Sequence, residues 1–383
     1  MMAGEELTCY ITSQIKLHGP VTFARFMDWC LYHEQWGYYR RDANKIGKEG
    51  DFYTAPSVHP IFGALLAKQL QEMCELMNED QFHVLEFGAG GGRLAHDILE
   101  WAFDQAPVLY RRLRYTLVDY PGPRSADAEK ILERHIRAGI VSLASPDQLQ
   151  EISVRGCILS NELFDALPCH RAICREGRLR EIYVGVNERG FCEFSADPST
   201  PELEEYFANA GIVLTEGQQA EVNLAALEMM STFSSLLSRG FIFTIDYGYR
   251  ADELYAPARR DGSLRGYRGH QMTTDYFKHI GLQDLTAHIN FTALIGEGEL
   301  LGLPCAGMTS QSRFLLAMGL AQEMERSAAG LGQREALEMR LSIKHLIEPG
   351  YGMGEAMKVL IQYRGLERPA LLGLRPLREL NWA

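Results

Sequence analysis

The first stretch of the sequence with residues suited to chemistry is a run of glycines preceded by an acid. Glu86 stands two residues before Gly88, and Gly90 and Gly92 follow at every second position. Apolar residues at helical spacing begin at Leu94. In parallel α/β sheets, a glycine turn between a strand and a helix binds nucleotides, because glycines let the backbone approach the ligand and the helix N-terminus faces it. The stretch therefore predicts a nucleotide-binding turn.

The spacing of these glycines indicates which nucleotide is bound. A dinucleotide fingerprint needs a small residue where this chain has Arg93, and a P-loop needs a Lys-Ser/Thr pair that does not follow here. A carboxylate beside the turn suits a ligand with a cationic amino-acid part. S-adenosylmethionine (SAM) therefore fits best, with a purely structural glycine turn as the alternative. The predicted cofactor-binding residues of the turn are Glu86, Gly88, Ala89, Gly90 and Gly92.

The next apolar strand, residues 115–119, ends in Asp119. An acid at the tip of the second strand of a βαβ unit can accept hydrogen bonds from both ribose hydroxyls. Asp119 is therefore a predicted cofactor-binding residue. The alternative is an aspartate that only caps the turn before Pro121.

A polar segment follows the strand that we predict over residues 156–160. Asn161, Glu162 and Asp165 lie in it, and the carboxyl ends of parallel strands open onto one cleft. We assign Asn161 to the cofactor and the two carboxylates to chemistry. Alternatively, Asp165 caps a turn and Glu162 is merely solvated.

An aromatic, hydroxyl-bearing loop precedes the nucleotide-binding stretch. Its residues Tyr53, Thr54 and Pro56 are predicted to fold over the cofactor as a lid. A surface loop packed by its own aromatic residues is the alternative reading.

Composition limits the function classes. A net charge of −12 over 383 residues argues against a general nucleic-acid binder and would suit a basic protein substrate. The eight cysteines include no C-x-x-C pair, so neither a metal site nor a disulfide framework is predicted. No apolar run reaches the length of a membrane span, and the first residues lack a secretory h-region. We expect a cytoplasmic protein without a targeting segment.

Periodicity predicts the remaining elements. Residues 5–40 and the segment after Pro60 read as helices, and residues 320–347 read as a further helical stretch. Alternating residues over 169–195 predict a β meander inserted in the sheet. The other predicted strands are residues 240–246, ending in Asp246, residues 284–289, residues 313–318 and an edge strand over 357–363.

Motifs along nearly the whole chain resemble the MidA family of SAM-dependent methyltransferases. The run Asn161-Glu-Leu-Phe-Asp-Ala-Leu-Pro168 is the most specific of them. Other matches are Gly50–Pro56, Leu85–Gly90, Ile245–Tyr249, Gly262–Tyr267 and Asp284–His288. The family often has a second acid where Asn290 stands, so this chain is one charge short at that place.

The resemblance implies a Rossmann-like class I methyltransferase sheet with an N-terminal helical arm and inserted β meander and helical substrate-binding elements. We expect an arm and lid over 1–80, a SAM-binding core over 81–320 and a C-terminal helix and edge strand over 321–383. The expected insertions are at about 168–215 and 288–312. Mitochondrial members of the family methylate an arginine of a respiratory complex I subunit. The resemblance therefore implies a protein substrate, and a homodimer is also considered.

Arginine methylation can be assigned to these residues as a hypothesis. Paired carboxylates at Glu162 and Asp165 would orient a guanidinium by bidentate hydrogen bonds, and Asp246 and His288 are candidates for taking the released proton. A small-molecule O- or N-methyltransferase and a non-enzymatic assembly factor are the alternatives. A nicotinamide dehydrogenase is disfavoured by Arg93.

Overall fold

Helices and strands alternate along most of the chain in the computed structural model, which describes residues 3–41, 54–120, 122–149, 152–350 and 352–376. The helices are α1 (Ala3–His18), α2 (Phe23–Tyr32), α3 (Ala55–Val58), α4 (Ile61–Met77), α5 (Arg93–Gln105), α6 (Pro107–Arg112), α7 (Pro123–Ile131), α8 (Glu133–Arg137), α9 (Glu202–Asn209), α10 (Leu224–Leu236), α11 (Ala251–Leu254), α12 (Phe291–Leu300), α13 (Gln311–Ala317), α14 (Leu320–Ala328) and α15 (Gln333–Ile347). The strands are β1 (Val21–Thr22), β2 (Phe82–Phe87), β3 (Leu113–Val118), β4 (Val141–Ala144), β5 (Val154–Asn161), β6 (His170–Arg175), β7 (Arg178–Asn187), β8 (Gly190–Ala196), β9 (Gln219–Val222), β10 (Leu237–Tyr249), β11 (Arg265–Arg268), β12 (Gln271–Thr273), β13 (Asp284–Thr286), β14 (Ile289–Asn290), β15 (Cys305–Ser310) and β16 (Met357–Arg364).

A mixed sheet forms the centre of one compact unit, which contains residues 54–163, 231–247 and 298–376 and is called the parallel-sheet unit below. Its strand order is β15-β16-β10-β5-β2-β3-β4. The five strands from β10 to β4 are parallel to one another, and β16 is antiparallel to both of its neighbours. Parallel strands covered on both faces are buried along most of their length, as β2, β5 and β10 are here. Their carboxyl ends lie at one edge of the sheet.

Helices α4 and α5 belong to the apolar core of this unit. Phe62 and Leu66 of α4 and Ile98 of α5 are fully buried in it. Gly63 lets the two helices approach closely, because a Cβ atom there would stand 2.6 Å from the Cβ of Asp97. The packing fixes α5, whose N-terminus follows the glycine turn.

A second unit contains residues 3–41, 164–230 and 248–297 and is called the meander unit below. Strands β6, β7 and β8 form the predicted meander, and β1 and β9 complete its sheet. Strands β12, β11 and β13 form a small antiparallel sheet. Thr22 caps the N-terminus of helix α2, because its side chain accepts a hydrogen bond from the main-chain N–H of Arg25 at 3.2 Å.

The α/β fold predicted from the sequence is confirmed, and several details are wrong. Residues 313–317 lie in helix α13, Met318 is its C-cap, and no strand forms, since a short apolar run fits either structure and here packs Phe314 and Leu315 into the core. Strand β16 is not an edge strand, because β15 pairs with it on the side away from β10. The meander pairs within its own sheet and is not part of the large one.

The sequence-based division of the chain at residues 80 and 320 stays a prediction. Within the ranges that the structure covers, no helix combines the length and apolar character needed to cross a membrane.

Candidate functional site

The glycine turn after β2 has the backbone that its residue types predict. Gly88, Gly90 and Gly92 all have positive φ angles, of 70°, 52° and 73°. At Gly92 a side chain would also be crowded, because a Cβ atom would stand 3.0 Å from the Cβ of Ala128. The main-chain N–H of Gly88 donates to the carbonyl of Val118 at 2.9 Å, which fixes the turn to the end of β3.

Gly92→Ala is expected to lower the free energy of unfolding by about 2 kcal/mol or more, because left-handed strain and crowding add at this position. Urea denaturation checks this. Gly139→Ala is the matched control, since Gly139 has a φ of 70° and open space around it. That variant should lose only the strain contribution of about 1 kcal/mol, and equal losses would contradict the crowding argument.

Asp119 lies directly after β3, beside the glycine turn. Its Oδ2 accepts a hydrogen bond from the main-chain N–H of Gly90 at 2.8 Å, and its Oδ1 accepts one from the N–H of Tyr120 at 2.7 Å. A cleft opens at this place, lined among others by Gly90, Leu117, Asp119, Leu143, Ala144 and Gln148. The acid predicted from the sequence therefore lines a cavity together with the turn.

Glu86 is buried at the end of β2. The hydroxyl of Tyr115 donates to its Oε2 at 2.7 Å. Burial raises the pKa of Glu86 to about 8, the Tyr115 hydrogen bond opposes the rise, and the charge of Asp119 adds to it. A positive charge close to Glu86 would stabilise its ionised form, which burial disfavours.

Glu162 follows β5 with a left-handed backbone, at a φ of 52°, which is uncommon for a residue with a side chain. Its main-chain N–H donates to the carbonyl of Ile245 at 2.9 Å. Its Oε1 accepts hydrogen bonds from the N–H of Ala55 and from Nδ2 of Asn161, each at 3.1 Å. The Oδ1 atom of Asn161 is buried without a hydrogen-bond partner among the described residues. Strained backbone of this kind is typical of functional sites.

Asp246 is completely buried near the end of β10. Its Oδ2 accepts from the main-chain N–H of Leu163 at 3.0 Å, and its Oδ1 accepts from the N–H of Tyr247 at 2.8 Å. Leu163 in turn approaches the glycine turn, since a Cβ atom on Gly88 would stand 3.0 Å from its Cδ1. The exits of β2, β5 and β10 are therefore linked at one edge of the sheet.

The predicted lid is described only in part. Tyr53 lies outside the described residues. Thr54 precedes α3, and its main-chain N–H donates to Oγ of Ser57 at 3.0 Å. Pro56 is buried in α3, whose first residue, Ala55, is the one bonded to Glu162. Thr54 and Pro56 are therefore held beside Glu162.

Two predicted catalytic residues, Asp165 and His288, belong to the meander unit. Both are tied to neighbouring backbone there: the carbonyl of Asp165 accepts from the N–H of Ala287 at 2.9 Å, and the N–H of His288 donates to Oγ of Ser263 at 3.0 Å. Burial, assisted by two nearby arginines, lowers the pKa of His288 to about 4, so its ring is neutral at pH 7. Its Nδ1 has no hydrogen-bond partner in the part of the chain that the structure covers.

Several residues that line the cleft were not identified in the sequence, among them Leu143, Ala144 and Gln148. Leu143 and Ala144 end β4 and Gln148 lies in the turn after it, and β4 was missed because it is only four residues long. A signal was present, since an apolar segment lies between Gly139 and Pro146, two residue types that bound strands.

A family model decides the class of this protein. The family described as "Putative S-adenosyl-L-methionine-dependent methyltransferase" matches residues 65–309, more than half of the chain. The chain belongs to this family. The predicted methyltransferase activity and its SAM cofactor are thereby confirmed.

The similarity of this methyltransferase to its relatives extends over most of its length. The protein arginine methyltransferase NDUFAF7, mitochondrial, of Mus musculus is 25% identical over 382 residues, which cover 90% of this chain and 81% of the mouse protein. The homolog from Drosophila melanogaster is 26% identical and covers 93% of this chain and 84% of its own. A crystal structure of a Burkholderia thailandensis protein bound to S-adenosyl-homocysteine is similar with a TM-score of 0.87 and 29% identity, covering 97% of this chain and 95% of that one.

The residues at the sheet edge fit SAM. Asp119 offers carboxylate acceptors on the wall of the cleft, as a ribose diol needs. Glu86 offers a buried carboxylate to a cationic amino-acid part, and the buried Oδ1 of Asn161 is an acceptor suited to an ammonium group. The fit to SAM thus depends on hydrogen-bond acceptors that this chain itself supplies.

The pKa of Glu86 predicts how SAM binding depends on pH. Below pH 8 the ligand-free methyltransferase holds a proton on Glu86, and binding of an ammonium group beside it would release that proton. We therefore expect the affinity for SAM to rise between pH 6 and pH 7.5 by up to about tenfold per pH unit. Isothermal calorimetry in two buffers of different ionisation enthalpy measures the released proton.

Glu86→Gln is the control for this pH dependence, because the titration of the ligand itself is common to both proteins. The variant should bind SAM more weakly at pH 7.5 and with a flatter pH dependence. The free energy of unfolding gives a second measurement. A pKa raised from 4.5 to about 8 gives stability that is complete below pH 4.5 and is lost as pH rises through 8. The free energy of unfolding of Glu86→Gln should therefore rise relative to that of the wild type as pH increases. If the two proteins show the same pH dependence of stability, the raised pKa of Glu86 is contradicted.

Proposed function

We propose that this methyltransferase acts on arginine side chains of proteins. The observation that carries the proposal is Glu162, a carboxylate held in a strained backbone at the edge of the cofactor-binding sheet. The names of the mouse and fly relatives, which are protein arginine methyltransferases, support it. The acidic net charge of −12 also suits a basic substrate segment.

The cofactor-binding residues have separate roles in this proposal. Asp119 would accept the ribose hydroxyls, and the backbone of Gly88, Ala89, Gly90 and Gly92 would approach the ligand closely. Glu86 and Asn161 would hold the amino-acid part. Thr54 and Pro56, beside Glu162, would cover the cofactor, as would Tyr53. SAM, when bound, supplies a methyl group already activated on a sulfonium centre.

Glu162 would orient the guanidinium of the substrate. An arginine side chain stays charged at neutral pH, so a nitrogen can act as a nucleophile only when the positive charge is drawn to the other nitrogens. A carboxylate that accepts two N–H bonds achieves this and fixes the plane of the group. Because the Oε1 of Glu162 is held by Ala55 and Asn161, its orientation is set before a substrate arrives.

Asp165 and His288 keep their predicted catalytic parts in this proposal. Asp165 stays the candidate for the second carboxylate on its sequence position after β5. His288 is neutral at pH 7 and can accept a proton, although a pKa of about 4 makes it a weak base. Asp246 was predicted as the other proton acceptor.

The proposal extends to the target protein, the cellular compartment and the oligomeric state. A subunit of a respiratory complex I is the first candidate target, in line with the family resemblance. We further propose that the protein works in the cytoplasm and as a homodimer. Pull-down of the tagged protein, cell fractionation and light scattering test these three points separately.

The proposed function is tested by transfer of a labelled methyl group. Purified protein is incubated with methyl-labelled SAM and a lysate of cells that lack it, and the products are separated into proteins and small molecules. We expect label in proteins, and mass spectrometry should locate it on arginine. Glu162→Gln protein is the matched negative control. Label only in small molecules would overturn the proposal in favour of a small-molecule methyltransferase, and SAM binding without any transfer would favour an assembly factor.

A further inference from the structure

The backbone of Glu162 is held at both of its torsions by consecutive residues of β10. Its own N–H donates to the carbonyl of Ile245 at 2.9 Å, which restricts φ. The next N–H, that of Leu163, donates to Oδ2 of Asp246 at 3.0 Å, which restricts ψ. The left-handed conformation is therefore maintained by residues more than 80 positions away in the chain.

Asp246 is placed for this task. It is completely buried, and each of its carboxylate oxygens accepts a main-chain N–H, one from Leu163 and one from Tyr247. Hydrogen bonds to a charged acceptor are stronger than neutral ones, so a carboxylate holds both N–H groups better than an amide could. A carboxylate engaged by backbone on both oxygens is suited to fix a loop.

We propose that Asp246 is a positioning residue that holds Glu162 in its left-handed conformation, and that it is not the proton acceptor of the reaction. This inference rests on the proposed function for its catalytic consequence. Its structural part, the control of the Glu162 backbone by the side chain of Asp246, stands independently. The role differs from the sequence-based prediction, which treated Asp246 as an acid or base at the tip of a strand.

Asp246→Asn separates the two roles. The amide keeps one acceptor but turns a donor toward the other N–H, so one of the two backbone bonds is lost. We expect kcat to fall by about 10-fold to 100-fold, because a small misplacement of Glu162 affects the reacting geometry. The KM for SAM and its calorimetric affinity should stay unchanged, and the pH–rate profile should keep its shape. Loss of the acidic limb of that profile, along which a general base loses its proton, would overturn the inference, because it would identify Asp246 as the base.

A double-mutant cycle with Glu162→Gln provides a second measurement. If Asp246 acts through Glu162, the double variant should be no slower than Glu162→Gln alone. If the fold-losses in kcat of the two single variants multiply in the double variant, the inference is contradicted. If Asp246→Asn does not fold, as judged by the absence of a cooperative thermal unfolding transition, Asp246→Ser is used, whose small hydroxyl can still accept from one N–H.

A crystal structure of Asp246→Asn keeps this inference distinguishable from the proposed function. We expect residue 162 to leave the left-handed region in the variant. An unchanged φ at residue 162 would overturn the inference even if the protein methylates arginine. Conversely, failure of the wild type to methylate arginine would refute the proposed function while leaving the structural result valid.

Discussion

Glu162→Gln is expected to lower the kcat for methyl transfer by about 100-fold to 1000-fold, the effect of removing a preorganised charged group from an active site. The amide keeps Oε1, so the bonds from Ala55 and Asn161 can persist and the loop should stay in place. Only the charge and one acceptor are removed. A labelled-methyl assay with saturating SAM measures the rate.

The expected loss is specific to the chemical step. Calorimetry should give the same affinity for SAM in Glu162→Gln and in the wild type, because the predicted cofactor contacts at Asp119 are unchanged. Glu325→Gln, at an exposed glutamate of α14, is the matched control and should be fully active. An undiminished rate in Glu162→Gln would rule out the carboxylate as the group that holds the substrate.

Asp119→Ala is expected to weaken SAM binding by at least about 100-fold. Two hydrogen bonds to a charged carboxylate, each contributing about 1.5–3 kcal/mol, would be lost from the ribose. The glycine turn also loses its anchor, since the N–H of Gly90 no longer has the Oδ2 acceptor at 2.8 Å. Isothermal calorimetry with S-adenosyl-homocysteine measures the change without turnover.

The control for this second prediction is Asp104→Asn, at an exposed aspartate near the end of α5. It changes the net charge without touching the cleft and should bind the ligand normally. The thermal unfolding temperature of Asp119→Ala shows whether the protein is intact. Normal affinity in an intact Asp119→Ala protein would exclude the ribose role and move the cofactor away from the β3 exit.

The part of the site that depends on local sequence could be predicted. The turn from Gly88 to Gly92 and the acid at Asp119 follow from residue types within one βαβ unit, and the structure places Asp119 beside the turn, where its Oδ2 accepts a hydrogen bond from the N–H of Gly90. Local spacing carries this information because the strand, the turn and the helix are neighbours in both sequence and space.

Other features depend on residues distant in the chain and could not be predicted. The left-handed backbone at Glu162 requires acceptors on Ile245 and Asp246, and no pattern near residue 162 indicates them. Similarly, the helix over Gln311–Ala317 and the interior position of β16 follow from tertiary packing of short apolar runs that suit either structure.

The left-handed residue at position 162 also affects how this protein could be engineered. Glycine adopts that backbone without the penalty of about 1 kcal/mol that a side chain incurs. Where that relief outweighs the two hydrogen bonds that Oε1 of Glu162 accepts, a laboratory screen for heat resistance would select glycine at 162 and accumulate proteins that survive heating but have lost the carboxylate. Programmes that increase the thermal tolerance of this enzyme should hold position 162 fixed and seek gains elsewhere.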